Sequence, residues 1–227
     1  MTENFQFQSN GETVPGALER PEGSGPWPGV VVVQEWWGLV PHIRDVARRF
    51  AQAGYLALAP DLYMGEAAED PEGCSQLVQK HGAAAPDRSR AAFRALRAHP
   101  ECAGKVGAVG YCFGGRMVLH VACYEPELAA AAIYYGGRLE QYFDRVPNIR
   151  SPVLGVFGEE DRGIPVETVK QFDELLDGTG VPHEITLYPG AGHAFFNDEG
   201  ANYRAEAAAD AWRRTTEFFA RHLAPTA

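Results

Sequence analysis

Short apolar runs alternate with amphipathic stretches along this chain, and that alternation is what most restricts the folds open to it. Val30 to Val33 are four consecutive valines running into Gln34, the pattern of a strand buried on both faces. Pro41 then opens a helical segment with Ile43, Val46, Ala47 and Phe50 at helical spacing, and Gly54 closes it. Tyr55 to Ala59, Val106 to Tyr111, Ala129 to Tyr135, Pro152 to Phe157 and His183 to Tyr188 read as further strands. Pro86 to Ala98, Met117 to Cys123, Val166 to Leu176 and Tyr203 to Leu223 read as helices. Strands separated by helices become parallel neighbours joined by right-handed crossovers. The expected class is therefore α/β: a mainly parallel central sheet with helices on both faces. Phe5, Phe7 and Thr13 to Leu18 predict an N-terminal hairpin around Asn10-Gly11. No linker or repeat interrupts residues 1–227, so one domain is expected.

Composition narrows the class of function. The formal net charge is −10, and such a surface repels phosphate backbones, which argues against nucleic acid as a partner. No apolar run is long enough to cross a bilayer. Met1 to Gly16 is polar and lacks the core of a signal peptide, so a cytoplasmic protein acting on a small molecule, as a monomer or small homo-oligomer, is expected. Cys74, Cys102, Cys112 and Cys123 form no CxxC pair, so neither a zinc site nor a cofactor is expected.

The chemistry-bearing residues fall at the carboxyl ends of the strands, where open α/β sheets bind ligands. Gly110-Tyr111-Cys112-Phe113-Gly114-Gly115 follows the Val106 strand and opens a helix. It has the form GxSxG with cysteine for serine. A nucleophile on a tight strand-to-helix turn needs small residues two before and two after it, and Gly110 and Gly114 meet that need. The helix N-terminus favours a thiolate, and the N–H of Phe113 can face a developing oxyanion. The alternative for Cys112 is an inert buried thiol; the strand–turn–helix setting favours the nucleophile.

An acid and then a histidine should follow a nucleophile of this kind. Gly158-Glu159-Glu160-Asp161 follows the Pro152 strand. Asp161 is the candidate acid, with Glu159 and Glu160 as competitors. Gly190-Ala191-Gly192-His193 follows the last strand, and its glycines let His193 swing back toward Cys112. The other six histidines lie in or beside helices and strands, where packing or solvation accounts for them. Before the nucleophile, Glu35-Trp36 ends the Val30 strand. An unpaired carboxylate there is costly. Either Glu35 reaches solvent or an arginine, or it stands beside Cys112, holding the thiol by a hydrogen bond and opposing thiolate formation. The N–H of Trp36 is the candidate second oxyanion donor.

These residues together resemble the dienelactone hydrolase (carboxymethylenebutenolidase) family of α/β-hydrolases. The resemblance rests on Gln34-Glu35 with Gly38, Pro60-Asp61-Leu62-Tyr63, the Cys112 turn, Tyr134-Tyr135-Gly136, Gly158 with Asp161, and Ala191-Gly192-His193 with Phe195. It implies a Cys112–His193–Asp161 triad, a resting thiol held by Glu35, and hydrolysis of an enol-lactone through a thioester. Two positions depart from the family. Its best-known members carry serine after the histidine and a substrate-binding arginine three residues further on, where this chain has Ala194 and Asn197. A second such arginine has no clear match between Pro71 and Arg90. Tyr135, Phe195, Asn197 and Arg138 are the candidate substrate contacts; Arg138 reads either as a replacement anion contact or as a solvated loop arginine.

Two other functions compete. A low-pKa thiol can serve as a redox sensor, although a sensor needs no acid to orient a histidine. A thiol peptidase is disfavoured, because the strand–helix order is unlike that of papain-type enzymes.

Overall fold

The computed structural model describes residues 2–224. Its strands are β1 (Thr2–Ser9), β2 (Glu12–Glu19), β3 (Trp27–Val33), β4 (Leu56–Pro60), β5 (Cys102–Tyr111), β6 (Ala130–Tyr134), β7 (Val153–Gly158) and β8 (His183–Tyr188). They form an 8-stranded sheet in the order β1-β2-β4-β3-β5-β6-β7-β8. β1 and β2 pair antiparallel, as does β2 with β4, and every pairing from β4 to β8 is parallel. The expected α/β-hydrolase fold is therefore present, with its hairpin at one edge.

The helices are α1 (Pro41–Gln52), α2 (Pro71–His81), α3 (Ala85–Arg97), α4 (Phe113–Tyr124), α5 (Val166–Asp177) and α6 (Ala205–Leu223). α1 and α6 make one layer, meeting where Phe50 packs on Trp212 and Phe219. α3 packs on α4 in the other layer, and a 3-10 segment, Leu139–Asn148, bridges α4 to α5. Buried on both faces, the valines of β3 and the alanines of β4 and β6 are sealed from water, as central parallel strands require. No described helix is long and apolar enough to cross a membrane.

Three local features differ from the sequence reading. β3 starts at Trp27, whose N–H bonds Glu101 O at 2.9 Å, so the strand begins before the valine run from which it was read. α2 was not expected, because it buries only Cys74, Leu77 and His81. Its signal is at the start: Asp70 caps the N–H of Gly73 and Pro71 sits in the first turn. The 3-10 segment was also not expected, and the proline at 147 inside it is the kind of residue that argues against a helix.

The ends of β3 and β4 are tied together. Gln34 Oε1 accepts from the N–H of Leu62 at 2.9 Å, and Asp61 accepts from the N–H groups of Tyr63 and Gly65. This fixes the loop that carries Glu35 and Trp36.

Candidate active site

Cys112 stands between β5 and α4 with φ +54° and ψ −113°. Such a φ is rare for a residue with a side chain, and it lifts the thiol out of the sheet. The turn is possible because two backbones close in. A Cβ on Gly110 would stand 2.1 Å from Gly114 O, and one on Gly114 would stand 2.3 Å from Val33 O. The N–H of Cys112 is tied to Tyr134 O at 3.0 Å. Phe113 is the first residue of α4, so its N–H has no acceptor within the helix. No backbone carbonyl among the described residues takes the N–H of Trp36.

Asp161 follows β7 and is held in a tight turn, accepting from the N–H of Gly163 at 2.8 Å. His193 follows β8. Its loop closes onto β7 through Glu160 N to Ala191 O at 2.9 Å, and Asn202 Nδ2 donates to His193 O at 3.0 Å. These ties place His193 Nδ1 2.7 Å from Asp161 Oδ2 and His193 Nε2 3.0 Å from Cys112 Sγ. The Asp161 side chain is 1% exposed and that of His193 35%, so the carboxylate is hidden while the imidazole is reachable. Glu159 and Glu160 are exposed; the carboxylate brought to His193 is that of Asp161. Burial pulls the imidazole pKa down, but the hydrogen bonds to Asp161 and Cys112 and their charges outweigh it and raise it to about 10. Both partners of the ring, a carboxylate on one side and a sulfur on the other, favour its protonated form.

Glu35 is placed differently from the sequence expectation. Its hydrogen bonds go to Asn197 Nδ2, at 2.9 Å from Oε2, and to the Tyr135 hydroxyl, at 3.5 Å from Oε1. The thiol it was expected to hold is bonded to His193 instead. The reason is the amide at 197, which draws the carboxyl toward the loop after β8. Burial raises the Glu35 pKa, against lowering by His42, Asn197, His193 and Tyr135.

The candidate substrate contacts separate as well. Tyr135 and Phe195 are fully buried; Tyr135 packs edge-on against Phe195 and His193, and Phe195 packs tilted against Tyr188. They are the wall behind His193, and neither presents a surface to a ligand. Asn197 is half-buried and occupied by Glu35, and Arg138 is exposed. Arg88, between Pro71 and Arg90, is buried and donates to Leu62 O at 2.7 Å and to Glu12 at 2.8 Å. It serves packing. Two residues were not singled out from the sequence. His42, at the start of α1, is buried with Nδ1 3.2 Å from Asp198 Oδ1, and its charge acts on Glu35. Arg116, in the first turn of α4, acts electrostatically on Cys112. Nothing in the spacing marks His42; Arg116 was legible as the residue one helical turn beyond Cys112.

Known proteins share this arrangement of elements. The sequence pattern of the Dienelactone hydrolase family matches residues 14–223. A Yersinia pestis protein provisionally named a carboxymethylenebutenolidase is 36% identical over 94% of this chain and 86% of its own length. An Escherichia coli K12 protein of the same provisional name is 37% identical over 93% of this chain and 83% of its own. Among solved structures, a provisionally named dienelactone hydrolase from Klebsiella pneumoniae superposes with a TM-score of 0.85 at 34% identity, covering 97% of this chain and 98% of that one. A dienelactone hydrolase-like promiscuous phosphotriesterase from metagenomic libraries superposes with a TM-score of 0.89 at 30% identity, with 98% of each chain covered. This chain is an ester hydrolase belonging to the dienelactone hydrolase family.

Proposed function

We propose that the protein hydrolyses carboxylic esters or lactones through a thioester on Cys112, with His193 as acid and base and Asp161 as the group that orients it. The carrying observation is the unbroken line from Asp161 Oδ2 through both nitrogens of His193 to Cys112 Sγ, at 2.7 and 3.0 Å. The thiolate attacks the carbonyl carbon, and the oxygen takes up negative charge facing the N–H groups of Phe113 and Trp36. The C–O bond then breaks, and the His193 imidazolium gives its proton to the departing alkoxide. Neutral His193 next takes a proton from water, whose oxygen attacks the thioester. Collapse releases the acid and restores the thiolate beside an imidazolium. Asp161 holds the ring by Nδ1 throughout.

The substrate is a small ester or lactone, as the names of the relatives suggest, with enol-lactones the leading class. The redox alternative lacks a second thiolate to resolve an oxidised Cys112. Burial pushes the Cys74 thiol up to about 11 and the Cys123 thiol up to about 12, and burial also raises that of Cys102.

The test is Cys112→Ala with an activated ester, read by product release and by intact-protein mass. The wild type should gain the mass of one acyl group during turnover. The variant should show no acyl adduct and a fall of about a thousandfold or more in kcat/KM, the scale seen when a member of such a triad is removed. A folded Cys112→Ala protein that keeps its turnover sinks the proposal.

A further inference from the structure

The two sides of the site rise from strands far apart in the sheet. Trp36, the candidate oxyanion donor, follows β3, and His193 follows β8. β8 is the fourth strand beyond β3 in the order β3-β5-β6-β7-β8. At ~4.8 Å per strand, their ends lie roughly 19 Å apart. The two loops nonetheless meet. From the β8 side, Asn197 Nδ2 donates to Glu35 Oε2 at 2.9 Å. The next residue, Asp198, reaches α1. Its Oδ1 accepts from His42 Nδ1 at 3.2 Å, and its Oδ2 accepts from Arg49 Nη2. Arg49 in turn donates to Asp45 at 2.6 Å. His42 is buried and also packs edge-on against Phe196, with centroids 6.3 Å apart. α1 begins at Pro41, soon after Glu35 and Trp36, so these contacts join the loop of the base to the loop of the oxyanion donor.

The loop after β8 needs such a hold. Ala194, next to His193, has φ +60°, a left-handed conformation that a residue with a side chain keeps only where its surroundings impose it. Phe195 and Phe196 are buried and anchor the loop by apolar contact, which is non-directional. A carboxylate held by an imidazole and a guanidinium fixes direction as well as place. Burial raises the pKa of the Asp198 carboxyl, but the hydrogen bonds and charges of Arg49 and His42 outweigh it and lower it. The charged form is therefore the one that α1 holds. A carboxylate only accepts hydrogen bonds, so the contact also fixes the hydrogen of His42 on Nδ1.

We propose that Asp198 is a positioning residue for the hydrolysis: bonded to His42 and Arg49 of α1, it sets the span between His193 and the Trp36 N–H and keeps Asn197 on Glu35. It acts through these groups and touches none of the reacting atoms. A shift of about 1 Å in a reacting group costs on the order of a hundredfold in rate, so the tie governs the chemical step more than substrate binding. The inference rests on the role of His193 proposed above.

The experiment measures kcat and KM for p-nitrophenyl acetate, per folded protein, with the folded fraction read from near-UV circular dichroism and thermal melts. Asp198→Ala should lower kcat by about tenfold to hundredfold and leave KM within about threefold, the split expected when geometry at the reacting atoms is lost and binding is kept. Asp198→Asn, which can still meet His42 but loses its charge toward Arg49, should fall by a smaller factor, and so should Arg49→Gln. Asn197→Ala combined with Asp198→Ala should cost less than the product of the two single losses, because both residues serve one tie. The Asp198 side chain is 32% exposed, which favours a folded alanine variant. Where Asp198→Ala fails to fold, Asp198→Asn and Arg49→Gln decide, with an expected loss in kcat of about threefold to tenfold. A tie that only supports the fold would lower the melting temperature and leave kcat per folded protein within about twofold of the wild type. That result, a rise in KM with kcat unchanged, or losses that multiply in full overturns the proposal. These ratios are read whichever residue is the nucleophile, so failure of the tie and survival of turnover in Cys112→Ala are separate outcomes.

Discussion

Two buried carboxylates stand just past the ends of parallel strands, Asp161 after β7 and Glu35 after β3. Asp161 faces a cation and a turn N–H: His193 Nδ1 at 2.7 Å and Gly163 N at 2.8 Å. Glu35 is hydrogen-bonded by two neutral donors, Asn197 and Tyr135, while the charges of His42 and His193 act on it without a hydrogen bond. Asp161 accepts from a ring nitrogen and from a backbone N–H. At Glu35 burial outweighs the partners and raises the pKa. The same chemical group thus serves two ends: at β7 it fixes a charged ring, and at β3 it is driven toward the proton-bound form.

Asp161→Asn should break this contrast most severely. The amide cannot balance the imidazolium, so kcat/KM should fall by about a thousandfold or more at neutral pH. The pH profile carries the sign. The imidazolium exists below its pKa, so wild-type activity should decline as pH rises through about 10. In Asp161→Asn that alkaline limb should move toward the ordinary histidine range near ~6.5. A limb that stays in place would show that Asp161 is not what raises His193.

Glu35→Gln should do far less to turnover, changing kcat/KM by less than about tenfold, because an amide replaces a carboxyl that burial already disfavours as an anion. Its larger effect is on stability. A carboxyl with a raised folded-state pKa binds its proton more tightly when folded. That contribution is full below the unfolded value near ~4.3 and is lost as pH rises above it. Glu35→Gln should therefore melt higher than the wild type at pH 7, by about 2–4 °C for each ~1 kcal/mol relieved, with the gain fading in acid. Thermal melts across pH read this directly. A loss of turnover as deep as that of Asp161→Asn would erase the distinction between the two carboxylates.

Tyr135→Phe sharpens the comparison at its weakest contact. The hydroxyl lies 3.5 Å from Glu35, at the limit of a hydrogen bond, so its removal should alter kcat/KM by no more than about twofold. A large fall would move Tyr135 from the wall of the site to its reacting atoms.

What the sequence made legible follows from what is local. Strand and helix identities came from periodicity, and the Cys112 turn from two glycines whose need is visible in the chain itself. His193 could be placed after β8 because glycines flank it. The partner of Glu35 was not legible. Whether that carboxyl meets a thiol or an amide depends on Asn197, 162 residues later, and no local pattern states which of two polar groups is nearer. α2 escaped for a different reason: it buries too little apolar surface to show a stripe. Tyr135 and Phe195 were expected as substrate contacts; in the structure both are buried, Tyr135 against His193 and Phe195 against Tyr188.

The order of the site along the chain has a consequence for synthesis. Cys112 and His193 are 81 residues apart. At about 5–20 residues per second, Cys112 is made roughly 4–16 s before His193. During that interval the sulfur lacks the ring nitrogen that stands 3.0 Å from it in the folded protein. The contact between the two can form only once the last parallel strand, β8, has been made.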